Sequence, residues 1–304
     1  MSTTQDHQAI AVLGAGGIGG LVAARTGALC VGTRRTVEAI RRDGLRVEQD
    51  GTTVVRLDAV ERLEQPVGLL VVAVKAYDLE VALGRVHPAA LDGALVLPLL
   101  NGLEHVGRIR ASNSLLHAAS AVVAAGSIGA VEAFAAEPGV VVQRTPGAAR
   151  IAVASDELEP DTLARLLVPL RVPGLELVLG ESERDVLWGK AARLAVVAAA
   201  AIASGRPVGE LRGDPEWRER MRTALDEAVA VATADGVELT ASGQWAIIES
   251  LAPDLVPSAA RDAAAGRPTE LDAITGSVVR AGARLGVPTP ALTSLLSEAE
   301  RAVA

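Results

Sequence analysis

An α/β amino-terminal half followed by an all-helical carboxy-terminal half is the fold class that this sequence predicts, the first half being a Rossmann-type, doubly wound sheet. Three observations predict it. Short apolar runs alternate with helical stretches through residues 1–180, the pattern of a parallel sheet covered by helices. A glycine cluster, Gly14-Ala15-Gly16-Gly17-Ile18-Gly19, directly follows the first apolar run. From about residue 182 onward no convincing strand is legible, and long alanine- and leucine-rich segments take over. A chain of 304 residues is long enough for two domains of ~150 residues each. The boundary is expected near residue 180, giving domains 1–180 and 181–304.

Residues 9–13 are wholly apolar, as expected of a central parallel strand buried on both faces. A short helix over 21–26 and a second strand over 29–33 follow. Further strands are predicted at 54–57, 68–74, 94–99, 121–125, 140–144 and 150–154, with Pro138-Gly139 marking a turn. In the second half, helices are predicted over 186–204, 215–234, 243–251, 258–264, 269–285 and 290–304. Gly236 and Gly286-Val287-Pro288 stand where helices should stop. The apolar stretch 194–203 is half of the about 20 residues that a membrane span requires, so it reads as a buried helix.

Composition narrows the function. The net charge is −8, which argues against a general nucleic-acid-binding surface. Cys30 is the only cysteine, so no internal disulfide framework is possible and a reducing compartment is expected. Residues 1–8 lack the basic-then-apolar layout of a signal peptide; a cytoplasmic protein without membrane attachment is the expectation. His7, His87, His105 and His117 are scattered and no cysteine pair exists, so no metal site is expected. No G-x-S-x-G elbow is present. Beyond a small-molecule substrate, a homodimer is the one partner expectation.

The chemistry-bearing residues sit at particular places in this order. Gly14 to Gly19 form a G-x-G-x-x-G between a strand and a helix. Glycines there permit a tight turn, let the backbone approach a pyrophosphate, and allow close helix–strand packing, while the helix N-terminus faces the negative charge. Thr33-Arg34-Arg35 ends the second strand, with no acid before Glu38. Basic residues in place of the acidic ribose clamp favour NADP over NAD, with Arg34 or Arg35 on the 2′-phosphate. Of 29 basic residues only Lys75 and Lys190 are lysine, and Asn101 and Asn113 are the only asparagines. Lys75 and Asn101 both follow predicted strands, at the carboxyl edge where ligands bind in open α/β sheets. Lys190, in Trp188-Gly189-Lys190, opens an unusually apolar helix although a first-turn lysine opposes the helix dipole. Glu270 and Asp272 begin a later helix, where dipole stabilisation alone would account for them.

Together these residues resemble the ketopantoate reductase (2-dehydropantoate 2-reductase) family. Ser258-Ala259-Ala260-Arg261-Asp262, then Gly266-Arg267-Pro268-Thr269-Glu270-Leu271-Asp272, then Gly286-Val287-Pro288-Thr289-Pro290 are its most specific matches. The glycine loop, Val74-Lys75-Ala76, Leu100-Asn101-Gly102 and Trp188-Gly189-Lys190 match in order, so the resemblance spans nearly the whole chain. It implies an NADPH-dependent oxidoreductase of pantothenate biosynthesis that reduces a 2-oxo acid, by default 2-dehydropantoate. It further implies Lys190 as the acid that protonates the ketone oxygen, and Glu270 as its holder or a contact of the cofactor ribose. Asn101 would lie by nicotinamide and substrate, Ser258 would bond the bound hydroxy acid, and Lys75 would lie beside the cofactor.

This chain departs from the family at three positions. Leu194, Ala198 and Val208 stand where the family has substrate-binding asparagines. That leaves open a less polar ketone or an imine as substrate, or a non-catalytic NADP-binding sensor; retention of Lys190, Glu270 and Ser258 together argues against the sensor. Arg193, three residues after Lys190, shares its helix face and could bind a substrate carboxylate through paired hydrogen bonds. The alternative for Arg193 is exposure to solvent or pairing with Glu210.

Overall fold

The computed structural model describes residues 9–112 and 120–304; residues 1–8, Asn113 and His117 lie outside them. The strands of the parallel sheet are β1 (Ile10–Leu13), β2 (Leu29–Val31), β5 (Ala59–Val60), β6 (Leu69–Val72), β7 (Leu95–Pro98) and β8 (Val122–Val123). They lie in the order β5-β2-β1-β6-β7-β8, and every pairing in that sheet is parallel. The reversal of chain direction across the sheet, with β2 on one side of β1 and β6 on the other, is the doubly wound arrangement. Ala11, Val12 and all of β6 are sealed from solvent, which is why these runs carry no polar alternation.

Two small sheets accompany it. One is β10-β11-β3-β4, made of β3 (Leu45–Glu48), β4 (Thr52–Val55), β10 (Ala133–Glu137) and β11 (Val140–Gln143); the other is β13-β12-β9, made of β9 (Ala125–Gly129), β12 (Ala149–Ala154) and β13 (Leu175–Leu179). The strand expected at 54–57 is therefore β4, a hairpin partner of β3 and no part of the parallel sheet. No signal for β10 or β13 is legible in the sequence. Helix α1 (Gly17–Thr26) begins four residues earlier than expected, inside the glycine cluster, and α2 (Arg34–Asp43) carries Arg34 in its first turn. Short helices α3 (Leu79–Leu83), α4 (His105–Arg110) and α5 (Pro160–Leu166) complete the described connections.

The chain folds into two compact units. The first comprises the described residues up to Leu100 and those of His105–Val186; the second comprises Asn101–Glu104 and Leu187–Ala304. The second contains α7 (Val208–Gly213), α8 (Pro215–Ala234), α9 (Ala241–Ser250), α10 (Ser258–Ala264), α11 (Ser277–Leu285) and α12 (Pro290–Val303), together with most of α6 (Glu183–Ser204). At 22 residues, three more than the predicted helix over 186–204, α6 is by length and composition long and apolar enough to cross a membrane. Two thirds of its apolar window is buried within the protein, however. Burial, then, marks it as a core helix: Ala195 to Ala201 belong, with almost no solvent exposure, to the apolar core that also contains residues of α8. A five-residue π-helical turn, Asp272–Gly276, interrupts the entry to α11; such turns recur at functional sites.

Candidate active site

The glycine turn has the geometry of a phosphate cradle. Gly14 has φ of +96° and its amide donates to the Val31 carbonyl at 2.9 Å; a side chain there would meet Val74 Cγ1 at 2.5 Å. Gly16 caps α1, and a Cβ on it would point into open space. A Cβ on Gly19 would strike the Gly14 carbonyl. One glycine thus makes the turn, one leaves the helix terminus approachable and one lets the helix sit on the strand. A dinucleotide pyrophosphate fits this arrangement, since a ten-residue helix begins at a glycine cap with open space beside it and the first-turn amides of a helix lack intrahelical partners.

Arg34 and Arg35 are exposed at the start of α2, and Arg34 folds back on Glu38 at 2.8 Å. This is a solvent-screened i,i+4 pair that an incoming phosphate can outcompete. Lys75 precedes a short 3₁₀ turn, Ala76–Asp78, three residues beyond the end of β6.

A second constellation lies wholly in the helical unit. Asn101–Glu104, although they follow β7, pack with that unit. The Lys190 ammonium donates to Asn101 Oδ1 at 2.9 Å, and Asn101 Nδ2 donates to Glu270 Oε2 at 3.5 Å. Glu270 is 4% exposed. Three residues far apart in the chain therefore form a line from ammonium through amide to carboxylate. Burial lowers the Lys190 pKa to about 8; the Arg193 charge pushes in the same direction and Glu270 opposes both. An ammonium with that proton affinity is poised to give up its proton near neutral pH.

The loop carrying Asn101 is held by features that the sequence did not mark as functional. Gly102 has φ of +92°, and a Cβ there would collide with the Ala273 carbonyl of the π turn. Arg280 bridges Glu104, through Nε at 2.8 Å and Nη2 at 2.9 Å, to Asp272 through Nη1 at 2.6 Å. One arginine thus ties the segment carrying Asn101 to the segment following Glu270.

Arg193 lies part-buried beside Lys190 on α6, and the expected pairing with Glu210 is not made. Glu210 pairs with Arg206 at 3.2 Å. Arg193 instead donates from Nη1 to the carbonyl of Gly189 and, at 3.1 Å, to Oε1 of buried Gln244 on α9. Gln244 carried no signal in the sequence. Ser258 is exposed at the start of α10, and no described hydrogen bond joins it to the lysine cluster. Ala198 and Val208 are fully buried in the helical core, whereas Leu194 is partly buried and packs against it. Two of the three apolar replacements are thus core residues in this chain. Among the described residues no group of three or more histidine, cysteine or acidic side chains could hold a metal ion.

A doubly wound sheet with this glycine turn, followed by a helical unit with a buried lysine, defines the class: a nicotinamide-dependent oxidoreductase. Two family models match the chain, "Ketopantoate reductase PanE/ApbA" over residues 10–156 and its C-terminal counterpart over residues 184–301. The chain belongs to the ketopantoate reductase family. A 2-dehydropantoate 2-reductase of Caulobacter vibrioides is 28% identical over 292 residues, covering 93% of this chain and 94% of that protein. The crystal structure of a PanE/ApbA family ketopantoate reductase from Ralstonia eutropha JMP134 is 29% identical with a TM-score of 0.81, covering 97% of this chain and 98% of that one. A ternary structure of D-mandelate dehydrogenase with NADH and anilino(oxo)acetate shares the fold at a TM-score of 0.84 and 23% identity, covering 97% and 98%.

Proposed function

We propose that this protein reduces the ketone of a 2-oxo acid to the 2-hydroxy acid with NADPH, and that Lys190 supplies the proton. The observation that carries this reading is the Lys190–Asn101–Glu270 line. When bound, the nicotinamide supplies a hydride to the carbonyl carbon. As the carbonyl π electrons move onto oxygen, the Lys190 ammonium stabilises the growing charge and transfers one Nζ proton to it. Lys190, left neutral, is then reprotonated from water. Glu270 keeps the ammonium charged before the transfer, and Asn101 fixes its direction. In this reading Gly14, Ala15, Gly16, Gly17, Ile18 and Gly19 hold the pyrophosphate, Lys75 and Asn101 flank the cofactor, and Asn101, Lys190, Arg193 and Ser258 meet the substrate.

The proposed preference for NADPH rests on Arg34 and Arg35, both exposed at the head of α2 with no acid before Glu38. 2-Dehydropantoate is the default substrate, by similarity to the Caulobacter protein. A second reading, a less polar 2-oxo acid, is favoured by one observation: Ala198 and Val208 are core residues, so neither offers a polar group to a ligand. Following NADPH and NADH consumption against 2-oxo acids of increasing side-chain size tests both points. Turnover with NADPH should exceed that with NADH, and Arg34→Ala should raise KM for NADPH while leaving NADH nearly unchanged. Equal losses with both cofactors would remove the 2′-phosphate assignment.

A further inference from the structure

Several arginines of the helical unit are paired with carboxylates, whereas Arg193, like Arg212 with its two backbone carbonyls, is not. Arg206 is paired with Glu210 and Asp214, Arg220 with Glu298, and Arg280 with Glu104 and Asp272. Arg193 sits in a chain with eight more acids than bases, yet among the described residues no carboxylate bonds to it. Its hydrogen bonds leave from Nη1 alone, to Gly189 O and to Gln244 Oε1. Nε and Nη2 have no described protein partner, and neither is sealed from solvent. A parallel pair of guanidinium N–H groups is what a carboxylate takes in a two-point contact. Gln244 is buried at 6% exposure and accepts from Nη1, leaving the Nε and Nη2 edge to a ligand.

The local charges do not cancel. Lys190 and Arg193 on α6 are cationic, Glu270 is the acid that acts on Lys190, and Asn101 and Gln244 are neutral. One positive charge is left over, and a monoanion would balance it. A 2-oxo acid presents its carboxylate and its ketone oxygen on adjacent carbons, while Arg193 and Lys190 present their charges about one helical turn apart on one face.

Resting on the reading of Lys190 as the proton donor, we infer that Arg193, aimed by Gln244, receives the substrate's carboxylate. The repulsion that Arg193 exerts on the ammonium is cancelled once a carboxylate sits on the guanidinium. A 2-oxo acid thereby charges its own proton donor, whereas a neutral ketone does not. One part-buried arginine would thus discriminate the 2-oxo acids from their amides and esters.

Calorimetric titration of the full chain with oxamate, a 2-oxo acid isostere that is not reduced, tests this without turnover. Run near pH 8 in two buffers of different ionisation enthalpy, it should report net proton uptake on oxamate binding. Oxamide, the neutral analogue, should bind more weakly and take up none. Arg193→Leu should weaken oxamate at least about tenfold, the equivalent of one charged hydrogen bond, and abolish the uptake. Arg193→Lys, which retains the charge without the two-point fork, should fall between and serves if the leucine variant does not fold. Unchanged oxamate affinity in either variant, or equal binding of oxamate and oxamide by the wild-type protein, would overturn the assignment. Failure of Lys190 as proton donor would show separately, as turnover surviving Lys190→Ala while oxamate still depends on Arg193.

Discussion

The glycine turn after β1 and the lysine cluster on α6 both prepare the protein to hold charge, but they do so with different parts of the chain. At the turn the backbone does the work: Gly14 takes a conformation with positive φ, and the α1 amides are left clear by Gly16. At the cluster, side chains do it, and each depends on another for its position. The ammonium leans on Asn101, Asn101 on Glu270, and the loop of Asn101 on Gly102 and Arg280. A backbone cradle is built from six consecutive residues and tolerates change elsewhere. A side-chain line assembled from three distant segments can be broken from any of them. The consequence is a division of phenotypes: damage at the turn should appear in cofactor affinity, and damage at the cluster in kcat.

The largest effect that would break or sharpen this division is at the lysine. Lys190→Ala should cut kcat by about 10²–10⁴-fold, the usual worth of a positioned acid, while NADPH titrated by fluorescence binds as before. A loss of less than tenfold, or a matching loss of NADPH affinity, would erase the distinction between the two regions. A smaller effect is expected from Gly102→Ala, which touches no reacting group. Its Cβ meets the Ala273 carbonyl and its φ is +92°, a strain of roughly 1–3 kcal/mol that the Asn101 loop must relieve by shifting. The expected result is kcat lowered about tenfold to a hundredfold, as for catalytic groups displaced by about an ångström, with KM for NADPH unchanged. Wild-type kcat in that variant would show that the loop does not position Asn101.

The two regions also differed in how legible they were. The glycine turn could be read because strand, turn and helix are contiguous and each glycine has a local steric reason. The parallel strands other than the two-residue β5 were legible for the same reason, β6 being a run of apolar residues with no polar face to disguise it. The small sheets were harder. In β10, Ala133–Glu137, the chain is half exposed and rich in alanine, so it shows no alternation. β13 follows Pro173-Gly174 and pairs on one side only, which makes a five-residue edge strand look like a loop. Within the helical unit, Asn101, Lys190 and Glu270 are 89 and 169 residues apart along their two contacts. No periodicity connects them, and they were found through rarity of type and through resemblance to a family. Gln244 and Arg280 were missed because a buried glutamine and a surface arginine acquire meaning only from partners 51 and 176 residues away.

The account turns on Lys190 giving its proton to the substrate, and the pH dependence of kcat/KM for a 2-oxo acid at saturating NADPH measures that directly. A general acid must be protonated, so activity is full below its pKa and lost above it. With burial and Arg193 holding that value at about 8 against the pull of Glu270, kcat/KM should be level in the acid range. It should then fall by about tenfold per pH unit above pH 8, a limb absent from the residual activity of Lys190→Ala. A profile that stays flat to pH 10, or a descending limb that persists unchanged in the alanine variant, would contradict the assignment of Lys190.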